Sequence, residues 1–505
     1  MIFSNFIYNF FQEIISHSNN NPTEFSVLSY AYFQMLYNIG SLFEKNGVQS
    51  EDRVNPLTRL NKCNIKKSIT KTPKVARKDL LKMYLYIGNN AFISQLYPDA
   101  KLVSPLDCGI RKIIRIERAI TTILEEYSKS HILGKKIELE RSKFVTKNTS
   151  GFPADYTGDN IIPKQNPNWE QLIVPTGAVR GINNLPLIDL TNPSSFRIQN
   201  FLGQEFYKNA GFAVVPTKNI IDLGSKISKT WEGGLQKQIE LLLDVYENLT
   251  DDKKIIAEFF AGSSKSALPP PGFFICIAMQ LSQKYKQSIR NDLKMYFSLA
   301  CGLLDAGVSA WHYKSKYNQA RPITLIRDYY ANQKIKSWTS LDAAANPSDI
   351  NGAQWLPYQP LTFVTPPFPD VASGHTTFSK VAARILDWWF NNPTLYDGYS
   401  LATIPNQQLL CPLLNVRDKT ICIGEYTFEK GSSEIEPGVT PKEQIVLRYK
   451  TLEELGAMAG LSRVYGGIHT FETNEVSAEL GEWVFNQTHT KLTTQFKFKS
   501  PYVVE

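Results

Sequence analysis

Residues 311–322 read Trp311-His312-Tyr313-Lys314-Ser315-Lys316-Tyr317-Asn318-Gln319-Ala320-Arg321-Pro322, and they close a long apolar helical run that begins near residue 288. Lys314 and Arg321 stand two helical turns apart. Both side chains are therefore expected to leave one face of the same helix, with Pro322 ending or kinking it. Upstream, Pro269-Pro270-Pro271-Gly272 breaks the chain before an apolar helix over about 273–285, and helical periodicity fills about 235–262. Downstream, Phe378, Val381, Ala382, Ile385, Leu386 and Trp389 recur at helical spacing after His375. Two further helices are expected at about 450–465 and 474–487.

The rest of the chain is consistent with a helical protein. Residues 1–50 and 76–130 show the same periodicity, the latter through Leu80, Leu81, Tyr84, Leu85, Ile113, Ile116, Ile120, Ile123 and Leu124. Between about 142 and 225 Pro, Gly, Asn and Thr dominate, which predicts long loops with short irregular pieces. The stretch TICIGEYTF within 408–440 alternates as a strand does and predicts a small β-hairpin excursion. No internal repeat or low-complexity linker divides the chain, so one domain over 1–505 is expected. Its N-terminal helical part would span about 1–230, and its C-terminal part about 270–490 would carry the chemistry. The fold class is mainly α, a helical bundle with long irregular loops.

Bulk properties exclude some classes. A hydrophobic fraction of 43% and a charged fraction of 20% suit a globular protein with a real core. No apolar run reaches the length of a membrane span, and the apolar start carries Glu13 with no basic lead or cleavage site. Residues 1–20 read as an amphipathic helix, so no membrane partner is expected and the cytoplasm is the default location. Cys63, Cys108, Cys276, Cys301, Cys411 and Cys422 form no paired motif, and Cys276 and Cys301 fit small core positions. A dense basic patch lies at Lys62, Lys66, Lys67, Lys71, Lys74, Arg77, Lys78 and Lys82. It lacks interleaved aromatics and reads as a solvated connector, with no nucleic-acid partner.

Three segments carry chemistry. Besides Lys314 and Arg321, Thr365-Pro366-Pro367-Phe368-Pro369-Asp370-Val371-Ala372-Ser373-Gly374-His375 brings Ser373, Gly374 and His375 to a helix start. There the Ser373 hydroxyl, the Gly374 N–H and the helix N-terminus make an anion seat. Ser462-Arg463-Val464-Tyr465-Gly466-Gly467-Ile468-His469 adds a cation and a second imidazole. Three fixed cations, a hydroxyl, a backbone donor and two histidines suit a multiply charged tetrahedral oxyanion. One imidazole can bond its central atom while the other moves protons on the opposite side.

In order and spacing these segments resemble K-x6-R-P, P-S-G-H and S-R-x5-H, the signature shared by vanadium haloperoxidases and PAP2 phosphatases. The resemblance covers roughly 290–490, with RPITLIRD, TPPFP and YGGIH similar to the bacterial-type haloperoxidase-like branch. It implies vanadate, that is vanadium(V), bound to His469, with phosphate able to take the same seat. It further implies that Lys314, Arg321, Ser373, Gly374 and Arg463 hold the oxygens, and that His375 is the acid–base group. The implied activity is a peroxidase, an oxidoreductase turning halide and hydrogen peroxide into hypohalous acid, with a small organic substrate as a further candidate. Trp311, three before Lys314, and Phe368, seven before His375, match the halide-pocket aromatics of fungal chloroperoxidase-like sites. Self-association is left open.

Departures set the alternatives. Ala372 replaces the proline of P-S-G-H, and His312 stands where close relatives tend to have Asp; a flanking, non-catalytic place is expected for it. The phosphatase signature continues H-x3-D, but that position is Thr473, with Glu472 before it. A carboxylate there would fix the imidazole tautomer. Its absence, unless Glu472 or another carboxylate substitutes, and the 88-residue gap from His375 to Arg463, tilt the reading from phosphate to vanadate. The alternatives are a metal-free phosphatase working through a phospho-histidine on a soluble phosphoester, and a non-catalytic oxyanion-binding or structural protein. His17, His131 and His489 are read as structural or exposed.

Overall fold

The computed structural model describes residues 22–41, 167–175, 179–180, 186–187, 196–199, 201–204, 206–261, 269–339, 347–398, 400–402, 416–417 and 420–503. The basic patch, the helices expected over 76–130, and His17, His131, Cys63, Cys108 and Cys411 lie outside them. Nine helices of eight residues or more organise the described residues: α1 Pro22–Ser41, α2 Gln236–Glu247, α3 Asp251–Phe259, α4 Pro270–Lys284, α5 Ile289–Tyr317, α6 Pro322–Tyr329, α7 Gly374–Phe390, α8 Leu452–Tyr465 and α9 Phe471–Thr494. The fold is mainly α, as the periodicity predicts. No described helix is long and apolar enough to cross a membrane.

Helices α5 and α7 form the centre. On α7, Phe378, Val381, Ala382, Ile385, Leu386 and Trp389 are all buried, and α4, α5, α8 and α9 pack around it. Burying one such side chain stabilises by roughly 1.5–3 kcal/mol, so this stripe outweighs any local propensity term. Gly302 lets α5 cross closely: a Cβ there would stand 2.2 Å from Ile385 Cδ1 and 2.8 Å from Val381 Cγ1. Phe25, Tyr32, Phe33 and Leu36 of α1 join the same core, and so does Cys276, while Cys301 is buried beside Phe297 and Leu492.

Helix ends place the chemistry. Asn318, left-handed at φ 47°, stops α5 by donating its N–H to the Lys314 carbonyl. Pro322 then opens α6 at its first turn, where its missing N–H costs nothing. Arg321 is therefore the residue before α6 and does not share a helix face with Lys314, contrary to the sequence expectation. The Asn318 stop preceded the proline. Ser373 caps α7 by accepting the Thr376 N–H at 3.3 Å, and Thr451 with Glu454 forms a capping box on α8. Gly467, at φ +69°, turns the chain from α8 towards His469 and α9.

The strands are short and antiparallel. Ile173–Pro175 pairs with Phe196–Ile198, and Lys334–Ser337 with Ser348–Asn351. The expected small hairpin is present: Val416–Arg417 pairs with Thr420–Cys422, which also pairs with Ser400–Ala402, and Glu425–Phe428 pairs with Ile445–Arg448. Gly424, at φ +77°, separates the two strands so that each serves a different sheet.

Candidate active site

The end of α5, the Pro-rich approach to α7, and the α8–α9 turn converge on one buried centre. Lys314 Nζ donates to the main-chain oxygens of Pro369 at 2.7 Å and Asp370 at 3.0 Å. Arg321 Nε donates to Phe368 O at 2.8 Å, and its Nη1 to Ile468 O at 2.6 Å. The same Nη1 lies 3.2 Å from His469 Nε2. Arg463 Nε donates to Ser462 Oγ at 3.0 Å, and its Nη2 to Ala257 O. His375 Nε2–H donates to Phe260 O at 3.0 Å, so the last turn of α3 and its cap present carbonyls to both Arg463 and His375.

Phe368 joins the cations to the aromatic wall. Its ring centroid is 5.0 Å from that of Trp311, 4.7 Å from Lys314 Nζ and 5.2 Å from the Arg321 guanidinium carbon. Trp311 is fixed by donating its Nε1–H to Leu202 O at 2.8 Å. A Cβ on Gly374 would meet Trp311 Cζ3 at 3.3 Å, so the first turn of α7 seats directly on the indole. His312 is half-buried, with its ring edge-on to Tyr207 at 5.7 Å between centroids.

Sequence reasoning missed Asp370. Its Oδ1 accepts the His469 Nδ1–H, and its Oδ2 accepts the Thr473 hydroxyl at 2.9 Å. The absence of a carboxylate beside His469 is thereby corrected: the acid comes from the Pro-rich approach. Glu472 does not supply it, since its carboxylate accepts the Ser228 N–H and hydroxyl at 2.8 and 2.6 Å. A signal existed, because an acid between Phe368-Pro369 and Val371-Ala372 must find a partner if the run is buried.

Electrostatics define what the pocket can hold. Burial pushes Arg321 down to about 10 and Arg463 to about 9, and pushes Lys314 well down with the help of Arg321. His469 is pushed well down by burial, then by Arg321, Lys314 and Arg463, and His375 by burial, then Arg463 and His469. Asp370 is raised to about 6 by burial, against Arg321, Lys314 and Thr473. Three basic side chains and two histidines thus share this buried centre with one carboxylate, so basic groups outnumber acids there. Arg321 Nη2, fully buried, finds no hydrogen-bond partner among the described residues. Such a donor costs roughly 1–3 kcal/mol, more when charged. An oxyanion of two or more negative charges would relieve both debts, so the donor set fits vanadate or phosphate.

Residues 294–497, the segment that holds all three motifs of the site, match the family model for the VCPO second helical-bundle domain. The fold extends the likeness further. The crystal structure of a holo-type bacterial vanadium-dependent chloroperoxidase is similar at TM-score 0.64 and 15% identity, covering 94% of this chain and 93% of that one. The apo-type bacterial vanadium-dependent chloroperoxidase gives 0.63 at 16% identity, over 95% of each. A bacterial vanadium-dependent iodoperoxidase gives 0.53 at 15% identity, over 97% and 96%. At these identities the likeness establishes the fold. Among curated proteins none matches the chain.

Proposed function

We propose that the chain is a vanadate-dependent haloperoxidase that oxidises halide with hydrogen peroxide. The observation that carries the reading is the buried cluster of Lys314, Arg321 and Arg463 beside His469, with Arg321 Nη2 left over. Its wall of Trp311 and Phe368 favours halide oxidation over ester hydrolysis, because an apolar surface at 5 Å spacing excludes water and seats a poorly solvated anion.

In this reading His469 Nε2 ligates vanadate, which when bound supplies Lewis acidity without a change of oxidation state. Lys314, Arg321 and Arg463 neutralise the oxygens, assisted by the Ser373 hydroxyl and the Gly374 N–H at the α7 start. The Asp370 carboxylate takes the Nδ1–H, leaving Nε2 with its lone pair outward. His375, with its Nε2–H held by the Phe260 carbonyl, would hold and move a proton at its other ring nitrogen. Lys314 Nζ, beside Phe368, would hold and polarise an oxygen of the bound anion.

Orthovanadate reconstitution tests this. Purified protein with orthovanadate, peroxide and chloride, bromide or iodide should halogenate a small organic acceptor, and His469→Ala should not. Hydrolysis of a generic phosphoester that vanadate inhibits, without halogenation, would assign the site to a phosphatase. Anion binding with neither activity would make it a binding protein.

A further inference from the structure

We propose that Asp370 and Thr473 together rebuild, with the two residue types exchanged in place, the carboxylate that orients His469. The proposal rests on reading His469 as the residue that bonds the oxyanion. In the phosphatase signature the acid stands four positions after the histidine, on the helix that follows it. Here that position is Thr473, in the first turn of α9, and the acid has crossed to the loop before α7.

The geometry is closed at every atom. Thr470, the cap of α9, accepts the Thr473 N–H at 3.2 Å and donates its own hydroxyl to Thr473 Oγ1 at 3.0 Å. Thr473 passes its hydroxyl proton to Asp370 Oδ2 at 2.9 Å, which leaves Oδ1 for the His469 Nδ1–H. Asp370 cannot drift, because its N–H donates to Gln319 O at 2.9 Å and its carbonyl accepts Lys314 Nζ at 3.0 Å. Asp370 and Thr473 are fully buried. The tautomer follows from the partners. A carboxylate demands the proton on Nδ1, while Arg321 Nη1, 3.2 Å from Nε2 and 3.4 Å from Nδ1, favours neither nitrogen. Nε2 therefore presents a lone pair, the form needed to bond an electrophilic centre.

A carboxylate on this loop has a consequence that one on α9 lacks. Residues 370–375 carry the orienter of His469, the Ser373 hydroxyl, the Gly374 N–H and His375 in one span. Ser373 is in turn tied to α9, donating its N–H to Ser477 Oγ at 2.7 Å, while Ser477 donates to Thr473 O at 2.5 Å. The two halves of the site are thereby locked through one loop. Asp370 is a positioning residue: it acts on the anion only through His469.

The test exchanges the pair back. In the anion-free full chain, nitrogen-15 spectra of labelled histidine, assigned with His469→Asn, should show His469 protonated at Nδ1. Asp370→Thr should abolish that preference and weaken orthovanadate binding by about 10- to 100-fold, the usual cost of losing such a partner. The exchange variant Asp370→Thr with Thr473→Asp keeps the same atoms and should recover the Nδ1–H tautomer and most of the affinity. Thr473→Val, nearly isosteric, should lose part of both and covers the case in which the other variants fail to fold. A wild-type His469 protonated at Nε2, unchanged binding in Thr473→Val, or a folded exchange variant that recovers nothing would overturn the assignment. Because the tautomer is read without an anion, a wild-type protein that shows it and yet binds no vanadate would sink the haloperoxidase reading and leave the pair standing.

Discussion

Arg321→Lys isolates geometry from charge. The guanidinium reaches three ways at once: Nε to Phe368 O at 2.8 Å, Nη1 to Ile468 O at 2.6 Å, and Nη2 into the pocket with no partner. An ammonium on a longer stem cannot span both carbonyls and still offer a planar pair of donors to an oxyanion. The positive charge survives, so long-range attraction changes little. What goes is one charge-assisted hydrogen bond to the anion, worth about 1.5–3 kcal/mol, or about 10- to 150-fold in affinity. Isothermal titration with orthovanadate and with inorganic phosphate should both show that loss, since the two anions share shape and charge. The melting temperature should fall only slightly, because the orphaned Nη2 is itself a cost to the free protein. Binding within a factor of two of wild type would show that Nη2 does not meet the anion, and would remove the observation on which the proposed function stands.

Other outcomes follow from the same network. Lys254 and Glu436 form a buried pair at 2.7 Å, with Trp338 and Thr440 also donating to Glu436; Lys254→Met should cost about 3–5 kcal/mol in denaturant unfolding by stranding that carboxylate. Asp305, raised to about 6 by burial against four donors, is stabilising in its protonated form: that contribution is full below pH 4 and is lost as pH rises through 6. Asp305→Asn should therefore gain on wild type by on the order of 3 kcal/mol between pH 4 and pH 8, read as diverging melting curves. Phe368→Leu removes the ring under Lys314 and half the wall with Trp311; it should raise the halide KM while changing vanadate affinity by only about two- to fivefold. An unchanged KM would take the halide pocket away from these aromatics.

Much of this was legible in the chain, for reasons that differ by residue. The α7 stripe from Phe378 to Trp389 was readable because six apolar residues at helical spacing admit one burial face. The helix start at Ser373 and Gly374 was legible from the stiff approach before it, whereas the seating of Gly374 on Trp311 was not. The place of Arg321 did not, because both Lys-x6-Arg on one helix and a stop at Asn318 satisfy the same spacing; only the left-handed Asn318 decides. Asp370 was hidden for another reason. Carboxylate partners are normally sought near their histidine in sequence, and this one stands 99 residues away. The carbonyls of Ala257 and Phe260 were beyond reach altogether, since a main-chain acceptor leaves no mark in a sequence.

The central claim is that His469 bonds an oxyanion held by Lys314, Arg321 and Arg463. X-ray absorption at the vanadium edge, on protein with one equivalent of orthovanadate, tests it most directly. The account predicts one nitrogen ligand in addition to oxygens, present in wild type and absent in His469→Ala. A spectrum indistinguishable from free orthovanadate, or a nitrogen signal that survives the substitution, would contradict it.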